Sequence, residues 1–319
     1  MPSPRGRRYV YLGPEGTFAE QALRSLRLGP DASVISARSV PEALDAVRVD
    51  EADAALVPLE NSIGGAVGVT LDELAGGTPL VITHEVVLPV EFVLAARTGV
   101  SLGTLGTVAA HPQAATQCRG WLRDHVPAAT VVDVLSNGAA AEGVAGGAYD
   151  AAICAPIGAE RHRLAVLAKD IADHPDAMTR FALVERPGAP PPPTGDDVTS
   201  LAVYISHDRV GALLAVLTEL AVRGVNLTRI ESRPTGEKLG RYAFFLDCSG
   251  HLAEARMGEA LMGLRRVSAD VRFLGSYPRA RGREATGKPA VQAPVGTSDA
   301  DFADAAAWLA RIRSGQPQA

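Results

Sequence analysis

The sequence predicts two folded parts, an α/β block with mostly parallel sheets and a smaller α+β domain after it. Strand-like and helix-like segments alternate from residue 8 to residue 186, which is typical of parallel strands connected by helices. After a proline run the order becomes strand, helix, strand, strand, helix, strand, the ferredoxin-like βαββαβ pattern. A chain of 319 residues is long enough for two or three domains.

The composition is that of a packed globular protein, since 47% of the residues are hydrophobic and 21% are charged. The net charge of −5 is mild. The basic cluster Arg5, Arg7 and Arg8 is short and terminal, so we interpret it as a solvated end and expect no nucleic-acid partner. We see no long apolar segment and therefore expect no membrane association and no secretion signal.

The cysteines and histidines favour neither redox nor metal chemistry. Cys118, Cys154 and Cys248 are odd in number and far apart, which indicates reduced thiols and a cytoplasmic protein. We interpret them as small buried hydrophobic residues and not as nucleophiles. The seven histidines show no paired ligand spacing. We therefore expect no metal and no cofactor.

The chain opens with a strand over residues 8–13 that turns sharply into a helix over residues 18–28. Gly13 and Gly16 free the backbone of this turn, and Thr17 is a good N-cap residue. A strand-to-helix turn directs backbone N–H groups towards an anion, although this one does not match a dinucleotide fingerprint. A second strand at 33–36 precedes a helix that Ser39 and Glu42 begin with a capping-box pattern.

A third strand over residues 52–59 leads into the polar triplet Glu60, Asn61 and Ser62, followed by a pair of glycines. Polar residues directly after an apolar strand indicate a strand end that faces a cleft. The alternative is an ordinary loop with a helix cap. Glu60 favours the cleft, because a carboxylate next to a buried strand needs a partner. After a helix to residue 74, the strand-rich stretch 79–96 is expected to pass between two lobes.

The next strands also end in polar residues. The strand at 104–109 ends at His111 and Gln113, and the strand at 130–135 ends at Ser136 and Asn137. Further strands follow at 149–155 and near 166. Ligands of α/β sheets bind at the carboxyl ends of strands. We therefore expect one site, assembled from Thr17, Glu60, Asn61, Ser62, His111, Gln113, Ser136 and Asn137.

Residues 176–181 are expected to end the last strand of this block. Thr179 supplies a hydroxyl, Arg180 a planar cation that grips carboxylates with two donors, and Phe181 an apolar wall. Together they suit an acidic small molecule that must lose a charged or hydroxyl group. Taken alone they equally fit an edge strand with an exposed arginine and a core phenylalanine, which is the commoner situation.

Residues 187–198 form a stiff linker with four consecutive prolines, Pro190 to Pro193. The βαββαβ pattern covers 199–278, with Gly211 and Asn226 where a helix start and a strand start would meet a small ligand. Residues 279–319 form a tail in which 299–312 is either an amphipathic helix or weakly ordered.

The motifs resemble those of monofunctional prephenate dehydratases that carry a C-terminal ACT regulatory domain. The resemblance covers about residues 8–280 and rests on the turn 13–18, the triplet 60–62, the segment 111–118, Thr179-Arg180-Phe181 and the ACT segments 211–214 and 231–234. Three features depart from the family pattern. Asp176 and Ala177 stand where the family often has asparagine, Asn137 stands where it has threonine, and the chain after residue 280 has no counterpart.

The resemblance implies a catalytic domain over 8–186 with two lobes, about 8–83 with 168–186 and 84–167, like a type II periplasmic binding protein. It implies that prephenate becomes phenylpyruvate in a site between the lobes, with Thr179, Arg180, Phe181 and Glu60 as catalytic residues. It also implies a homo-oligomer, dimer or tetramer, inhibited by L-phenylalanine bound between ACT domains. The residues implied for that second site are Gly211, Ala212, Leu213, Leu214, Asn226, Glu231, Ser232 and Arg233.

Three alternatives stay open at this point. An arogenate dehydratase would differ only in a substrate with an amino group in place of the keto oxygen. A ligand-binding protein without catalysis would use the same two lobes, and so would an ACT-mediated module with an inactive first domain. Intact Thr179 and Arg180 argue against the inactive module.

Overall fold

The computed structural model describes residues 6–205, 210–236, 241–280 and 294–315. The chain separates into two compact units, one formed by Met1–Glu73 with Val86–Arg186 and one by Leu74–Glu85 with Pro187–Ala319. Within the described ranges, no helix has both the length and the apolar character that a bilayer crossing requires.

The first unit contains two mixed sheets with helices around them. Its elements are β1 (Arg8–Leu12), α1 (Phe18–Ser25), β2 (Ser33–Ala37), α2 (Val40–Arg48), β3 (Ala54–Asn61), β4 (Gly65–Ala66), α3 (Gly68–Ala75), β5 (Val81–Pro89), β6 (Val93–Ala96), β7 (Thr107–Ala110), α4 (Pro112–Gln117), α5 (Arg119–His125), β8 (Thr130–Asp133), α6 (Asn137–Ala145), β9 (Ala151–Cys154), α7 (Pro156–Arg161), β10 (Ala165–Ala168) and β11 (Met178–Glu185). α3 and β5 extend into the segment that belongs to the second unit.

The strand order defines two lobes. The first lobe has the sheet β2-β1-β3-β11-β5, with β4 added to β3, and the second lobe has the sheet β10-β6-β9-β7-β8. The chain crosses from the first lobe to the second after β5 and returns before β11. Two α/β lobes connected by two crossings of the chain form the periplasmic-binding-protein-like arrangement that the resemblance implied.

The prediction of mostly parallel sheets is wrong, because both sheets are mixed. β1 runs parallel to β2 and β3, but β11 runs antiparallel to β3. In the second lobe β7 runs parallel to β8 and β9, whereas β6 runs antiparallel to β9 and β10. β6 and β11 are the strands that follow the crossings. Each begins at the end of its sheet that faces the other lobe, which is where the parallel strands finish. Each must therefore run in the direction opposite to the parallel strands.

The same geometry corrects the prediction for residues 176–181. This stretch begins β11 and does not end a strand. Because β11 is antiparallel to β3, its first residues lie beside the last residues of β3, and Thr179 pairs with Asn61. Thr179 therefore lies at the same sheet edge as the strand ends from which the site was predicted, although it comes from the opposite end of its own strand.

Each lobe has its own apolar core. The first lobe packs Tyr9 and Leu23 against Leu56 and Phe181. The second packs Phe92, Leu122 and Ile153 among small alanines, which allow close contact between helices and sheet.

The second unit has the predicted βαββαβ order, with the strand order β13-β14-β12-β15 and antiparallel pairing throughout. Its elements are β12 (Asp197–Tyr204), α8 (Ala212–Ala221), β13 (Leu227–Pro234), β14 (Tyr242–Ser249), α9 (Ala255–Val267), β15 (Asp270–Pro278) and α10 (Asp299–Arg313). Leu201, Val216, Leu246 and Leu264 belong to the core that the sheet forms with α8 and α9. The ferredoxin-like fold of this unit is confirmed, and the tail contains a helix, α10.

Candidate active site

A cavity of about 540 Å3 lies between the two lobes of the first unit. It is lined at the ends of β1, β3, β7 and β8 and at the start of β11. Its walls include Leu12, Gly13, Thr17, Phe18, Arg38, Pro58, Asn61, Val67, Gly68, Thr179 and Phe181 from the first lobe, and Phe92, His111, Gln113, Gln117, Leu135, Ser136 and Asn137 from the second. Eight of the residues predicted for the site are in this set: Thr17, Asn61, His111, Gln113, Ser136, Asn137, Thr179 and Phe181.

Asn61 holds Thr179 in a defined orientation. The Asn61 side-chain oxygen accepts hydrogen bonds from the backbone N–H groups of Ile63 at 2.9 Å and Gly64 at 2.8 Å. These bonds fix which end of the amide is the oxygen, so the amide nitrogen is the donor to Thr179 Oγ1, at 2.9 Å. The Thr179 hydroxyl therefore accepts from Asn61, and its own hydrogen is left to point to another acceptor.

A β-bulge brings Pro58 and Asn61 to the same wall. Arg180 pairs with Glu60 but Phe181 pairs with Pro58, so Leu59 is the extra residue of β3. Thr179 and Phe181 are two residues apart on β11 and share the cavity face. The bulge lets the β3 residues opposite them face the cavity too, although these are three residues apart.

Arg180 and Glu60 are not among the cavity-lining residues, contrary to the expectation that they would join Thr179 there. The physical reason is strand alternation, which turns the side chain of Arg180 away from the face of its two neighbours. Arg180 Nη1 lies 3.6 Å from Glu60 Oε2 across the ladder, and both side chains are mostly covered. The structure thus places the arginine beside the acidic residue, and neither side chain is among those that line the cavity.

Ser62 is likewise absent from the lining residues and joins β3 to the start of β11. Its hydroxyl oxygen accepts from the Met178 N–H at 2.9 Å, and its own N–H donates to the Met178 carbonyl at 2.9 Å. These bonds fix the position of the residue just before Thr179.

Thr17 lines the cavity. The sequence predicted that Thr17 would cap α1, but its side chain makes no capping hydrogen bond to the helix. Its hydroxyl donates to the Pro14 carbonyl at 3.0 Å and so closes the turn. In the second lobe the caps form as side-chain bonds. His111 Nδ1 accepts from the Gln113 N–H at 3.3 Å, and Ser136 Oγ accepts from the Ala139 N–H at 3.0 Å. The starts of α1, α4 and α6 therefore all border the cavity.

Arg38 and Gln117 are among the lining residues that were not predicted from the sequence. Arg38 follows β2 directly, so the rule that ligands bind at strand ends would have found it. Its guanidinium hydrogen-bonds Glu42 at 3.0 Å and 3.3 Å. Gln117 is only 9% exposed, and within the described structure its side-chain oxygen has no hydrogen-bond partner, as is also true of the Asn137 side-chain oxygen. Such buried acceptors at a cavity suit a ligand with donor groups.

Apolar rings form part of the wall. Phe18 and Phe92 meet edge to face with centroids 5.4 Å apart, one from each lobe, and Phe181 is almost fully buried beside β3. An aromatic pair across the cavity excludes water from that side of a bound ligand.

The three cysteines are buried, and burial raises the pKa of each thiol to about 12. Thiols in this state are not nucleophiles near neutral pH. Over the part of the chain that the structure describes, histidine, cysteine and acidic side chains form no cluster that could hold a metal ion.

The residues proposed for phenylalanine fall on two elements of the second unit. Gly211, in the left-handed region at φ 77°, precedes α8, whose first residues run from buried Ala212 to exposed Leu214. Asn226 precedes β13, and Glu231, Ser232 and Arg233 lie along it opposite Phe245, Phe244 and Ala243. β13 is the edge strand of its sheet.

The family model described as prephenate dehydratase matches residues 9–189, and the ACT domain model matches residues 199–265. A prephenate dehydratase of Amycolatopsis methanolica is 49% identical over 310 residues, covering 97% of this chain and 99% of the relative.

Solved structures agree. A prephenate dehydratase of Arthrobacter aurescens in complex with L-Phe superposes with a TM-score of 0.87 at 48% identity, covering 96% of this chain and 99% of that one. GqqA, described as a novel type of quorum quenching acylase, has a TM-score of 0.75 at 28% identity, covering 86% and 98%.

The sequence similarity extends over nearly the whole length of the relative from Amycolatopsis methanolica, and both domain models match in the expected order. The chain therefore belongs to the prephenate dehydratase family of hydro-lyases, with an ACT domain after its catalytic domain.

Proposed function

We propose that this protein converts prephenate to phenylpyruvate, carbon dioxide and water. The observation that carries the proposal is the bond from Asn61 to Thr179, which orients a hydroxyl donor at the wall of the cavity. In the reaction, the bond between the ring and its carboxylate breaks and its electrons enter the ring. The bond between the ring and its hydroxyl breaks at the other end, and the departing oxygen takes a proton to become water.

The product ring is aromatic, so much of the driving force resides in the substrate. The protein must assist the departing oxygen, which carries negative charge as it leaves. A donor placed where charge develops lowers the barrier. We assign this donor role to Thr179. A threonine hydroxyl is a very weak acid, so it hydrogen-bonds the leaving group while the proton that makes it water comes from solvent.

The two carboxylates of prephenate need positive potential. The N-termini of α1 and α6 border the cavity and carry the partial positive charge of their helix dipoles. Arg38 adds a full charge at the rim, where its side chain is 91% exposed. We propose that these groups hold the pyruvyl carboxylate. Phe18, Phe92 and Phe181 would then border the ring carboxylate, where poor solvation favours loss of carbon dioxide.

The decisive test is to incubate the purified full-length protein with prephenate and to follow phenylpyruvate by its absorbance. The same assay with arogenate, followed as phenylalanine, separates the two dehydratase activities. We expect turnover of prephenate and a much lower kcat/KM on arogenate. No turnover of either substrate would contradict the proposal, and a preference for arogenate would correct its substrate.

We further propose that L-phenylalanine binds the ACT domain and inhibits the enzyme, which would act in the cytoplasm as a homo-oligomer. The Arthrobacter relative, 48% identical, was solved with L-Phe. In this chain, Gly211 with Leu213 and Leu214 would supply backbone and apolar contacts, and β13 would supply Glu231 and Arg233. A ligand held between two ACT domains requires at least a dimer.

Calorimetric titration with L-phenylalanine tests this regulation. Leu214→Asn should weaken binding, because Leu214 is 67% exposed in the single chain and available to a ligand. Val222→Asn is the matched control, since Val222 is 59% exposed at the other end of the same helix. Absence of heat with the unmodified protein, or equal loss in both variants, would argue against the assigned site.

A further inference from the structure

Glu20 is a buried carboxylate whose three hydrogen-bond donors come from both lobes. Its side chain is 7% exposed. One oxygen accepts from the backbone N–H of Gly16 at 2.6 Å. The other accepts from Arg24 at 2.6 Å and from Arg161 at 2.8 Å. Arg24 is on the same helix as Glu20, whereas Arg161 ends α7 of the second lobe and also pairs with Glu15. One carboxylate therefore connects the turn beside the cavity to the opposite lobe.

The backbones of the two lobes approach closely at the same place. A Cβ on Gly138 of α6 would lie 2.5 Å from the Glu15 carbonyl, and a Cβ on Gly158 of α7 would lie 2.9 Å from the Gly16 carbonyl. Both positions tolerate only glycine without movement of the backbone. The turn of the first lobe is thus seated directly against two helices of the second.

We propose that Glu20 and Arg161 are positioning residues that hold the two lobes in the arrangement that binds substrate. Neither residue is among those that line the cavity. They act through Gly16, whose neighbour Thr17 lines the cavity. The inference rests on the proposed dehydratase function, because that function supplies its kinetic readout.

The charges explain why this contact would matter. A buried carboxylate needs its donors, and a bond between a carboxylate and a guanidinium is stronger than one between neutral groups. Loss of Arg161 leaves Glu20 with partners from its own lobe only, so the arrangement of the lobes in this structure loses a stabilising contact, whereas an arrangement in which the lobes are further apart loses nothing. When the competent arrangement is less populated, the apparent affinity for substrate falls in proportion.

Arg161→Met and Arg24→Met are a matched pair. Each removes one guanidinium from the same carboxylate, but only the first breaks the connection between lobes. We expect Arg161→Met to raise KM for prephenate about fivefold or more with kcat within about twofold. Arg24→Met should leave both within about twofold, and Arg161→Lys should be intermediate because it keeps the charge. Equal KM changes in the two methionine variants would overturn the proposal.

A double-mutant cycle with Glu20→Gln tests whether the two residues act together. The KM of Glu20→Gln with Arg161→Met should rise less than the product of the single effects, because the second change removes a contact already lost. Independent effects would contradict the pairing.

Hydrogen exchange at the Gly16 amide, measured without substrate, gives a readout independent of activity. We expect faster exchange in Arg161→Met than in Arg24→Met. If the unmodified protein does not turn over prephenate, the proposed function fails while this measurement still decides the positioning role. If Arg161→Met changes neither the exchange at the Gly16 amide nor KM, the positioning role is contradicted while the proposed function is not.

Discussion

The Thr179 hydroxyl is oriented by a hydrogen bond from the Asn61 side-chain amide. The Asn61 amide is itself oriented by the backbone N–H groups of Ile63 and Gly64. This chain of bonds makes the Thr179 oxygen an acceptor from Asn61, so the hydroxyl proton remains available to donate to another group before any substrate arrives. Preorganisation of this kind avoids rearrangement during the reaction. A threonine without such a neighbour would not have this preorganisation, because an isolated threonine hydroxyl rotates freely between acceptors.

Thr179→Val keeps the shape of the side chain and removes the donor. We expect kcat to fall by roughly 10²-fold or more while prephenate still binds, a loss typical of a group that acts on the leaving oxygen. Thr179→Ser is the control and should retain most of kcat. Steady-state kinetics of the three proteins would decide, and a Val variant with near-normal kcat would remove Thr179 from the chemistry.

Arg38 and Arg180 are rival partners for the substrate carboxylate. Arg38 lines the cavity, whereas Arg180 is not among the lining residues and lies beside Glu60. Because lysine lacks two parallel donors, Arg38→Lys should raise KM severalfold with little change in kcat. Arg180→Lys, the matched variant, should affect KM less. A larger rise in KM for Arg180→Lys than for Arg38→Lys would indicate that Arg180 binds the carboxylate, as the motif had predicted.

Asp53 makes part of the stability depend on pH. Its carboxylate accepts from the Arg8 backbone N–H at 2.7 Å and from the guanidinium at 2.8 Å and 3.2 Å. The hydrogen bonds from the Arg8 side chain are the largest cause that lowers the pKa of Asp53 from 3.8 to about 2. A lowered pKa in the folded state means that this stabilisation is complete above 3.8 and is lost as the pH falls towards 2.

Asp53→Asn should therefore destabilise the protein near neutral pH, and the difference from the unmodified protein should shrink in acid. Denaturant unfolding at a series of pH values measures this. Asp124→Asn is the control, because Asp124 pairs with Arg123 where both side chains are exposed, and such pairs contribute little. A difference for Asp53→Asn that stays constant down to about pH 3 would contradict the linkage.

At the level of elements, the direction of a strand decides what it delivers to the site. β11 brings Thr179 to the cavity because it runs antiparallel to β3, and the bulge at Leu59 keeps Pro58 and Asn61 on the same face. Neither feature follows from local propensity. The direction of β11 results from the chain returning from the second lobe, and the bulge is a property of how β3 and β11 pair.

The start of α6 offers a test of the close approach between elements. Gly138→Ala places a methyl group 2.5 Å from the Glu15 carbonyl, so the turn or the helix must move. We expect a large loss of kcat/KM, because a shift of even about 1 Å at a binding site is costly. Gly146→Ala, at the end of the same helix, meets its nearest atoms at 3.5 Å and 3.7 Å and should be tolerated. Comparable activity in both variants would show that the turn adapts.

For the whole molecule, the second unit is discontinuous in sequence. The segment Leu74–Glu85 belongs to it, although the sequence separates this segment from Pro187 by a hundred residues. Arg272 donates to the carbonyls of Ala75, Gly76 and Gly77, and the Ala280 N–H donates to Glu85. A cut at the proline linker would therefore divide a folded unit.

A fragment that ends at residue 186 would leave this segment without those partners. Leu80 and Ile82, only 1% and 2% exposed in the intact chain, lie in the segment. We expect the fragment to melt at least about 5 °C below the full-length protein, as measured by circular dichroism. A fragment that ends at residue 280 keeps β15 and is the control. Equal melting of the 186-residue fragment and the full-length protein would disprove the dependence.

The sequence by itself determined the family, the two kinds of fold and eight of the residues that line the cavity. These follow from local information. Hydrophobic periodicity indicates the element type, and polar residues after strands mark the ends where ligands bind. Six predicted site residues line the cavity for this reason, whereas Thr179 and Phe181 line it from the start of β11. The motif also located Asn61 and Thr179, without indicating that one orients the other.

Only the tertiary structure decided which side chains share a face and which lobes touch. Arg180, Glu60 and Ser62 stand next to lining residues in sequence, yet alternation and pairing turn them elsewhere. The contact of Glu20 with Arg161 joins two residues that are far apart in sequence. The physical reason is that strand direction, bulges and interlobe contacts arise from long-range packing, which local patterns do not encode.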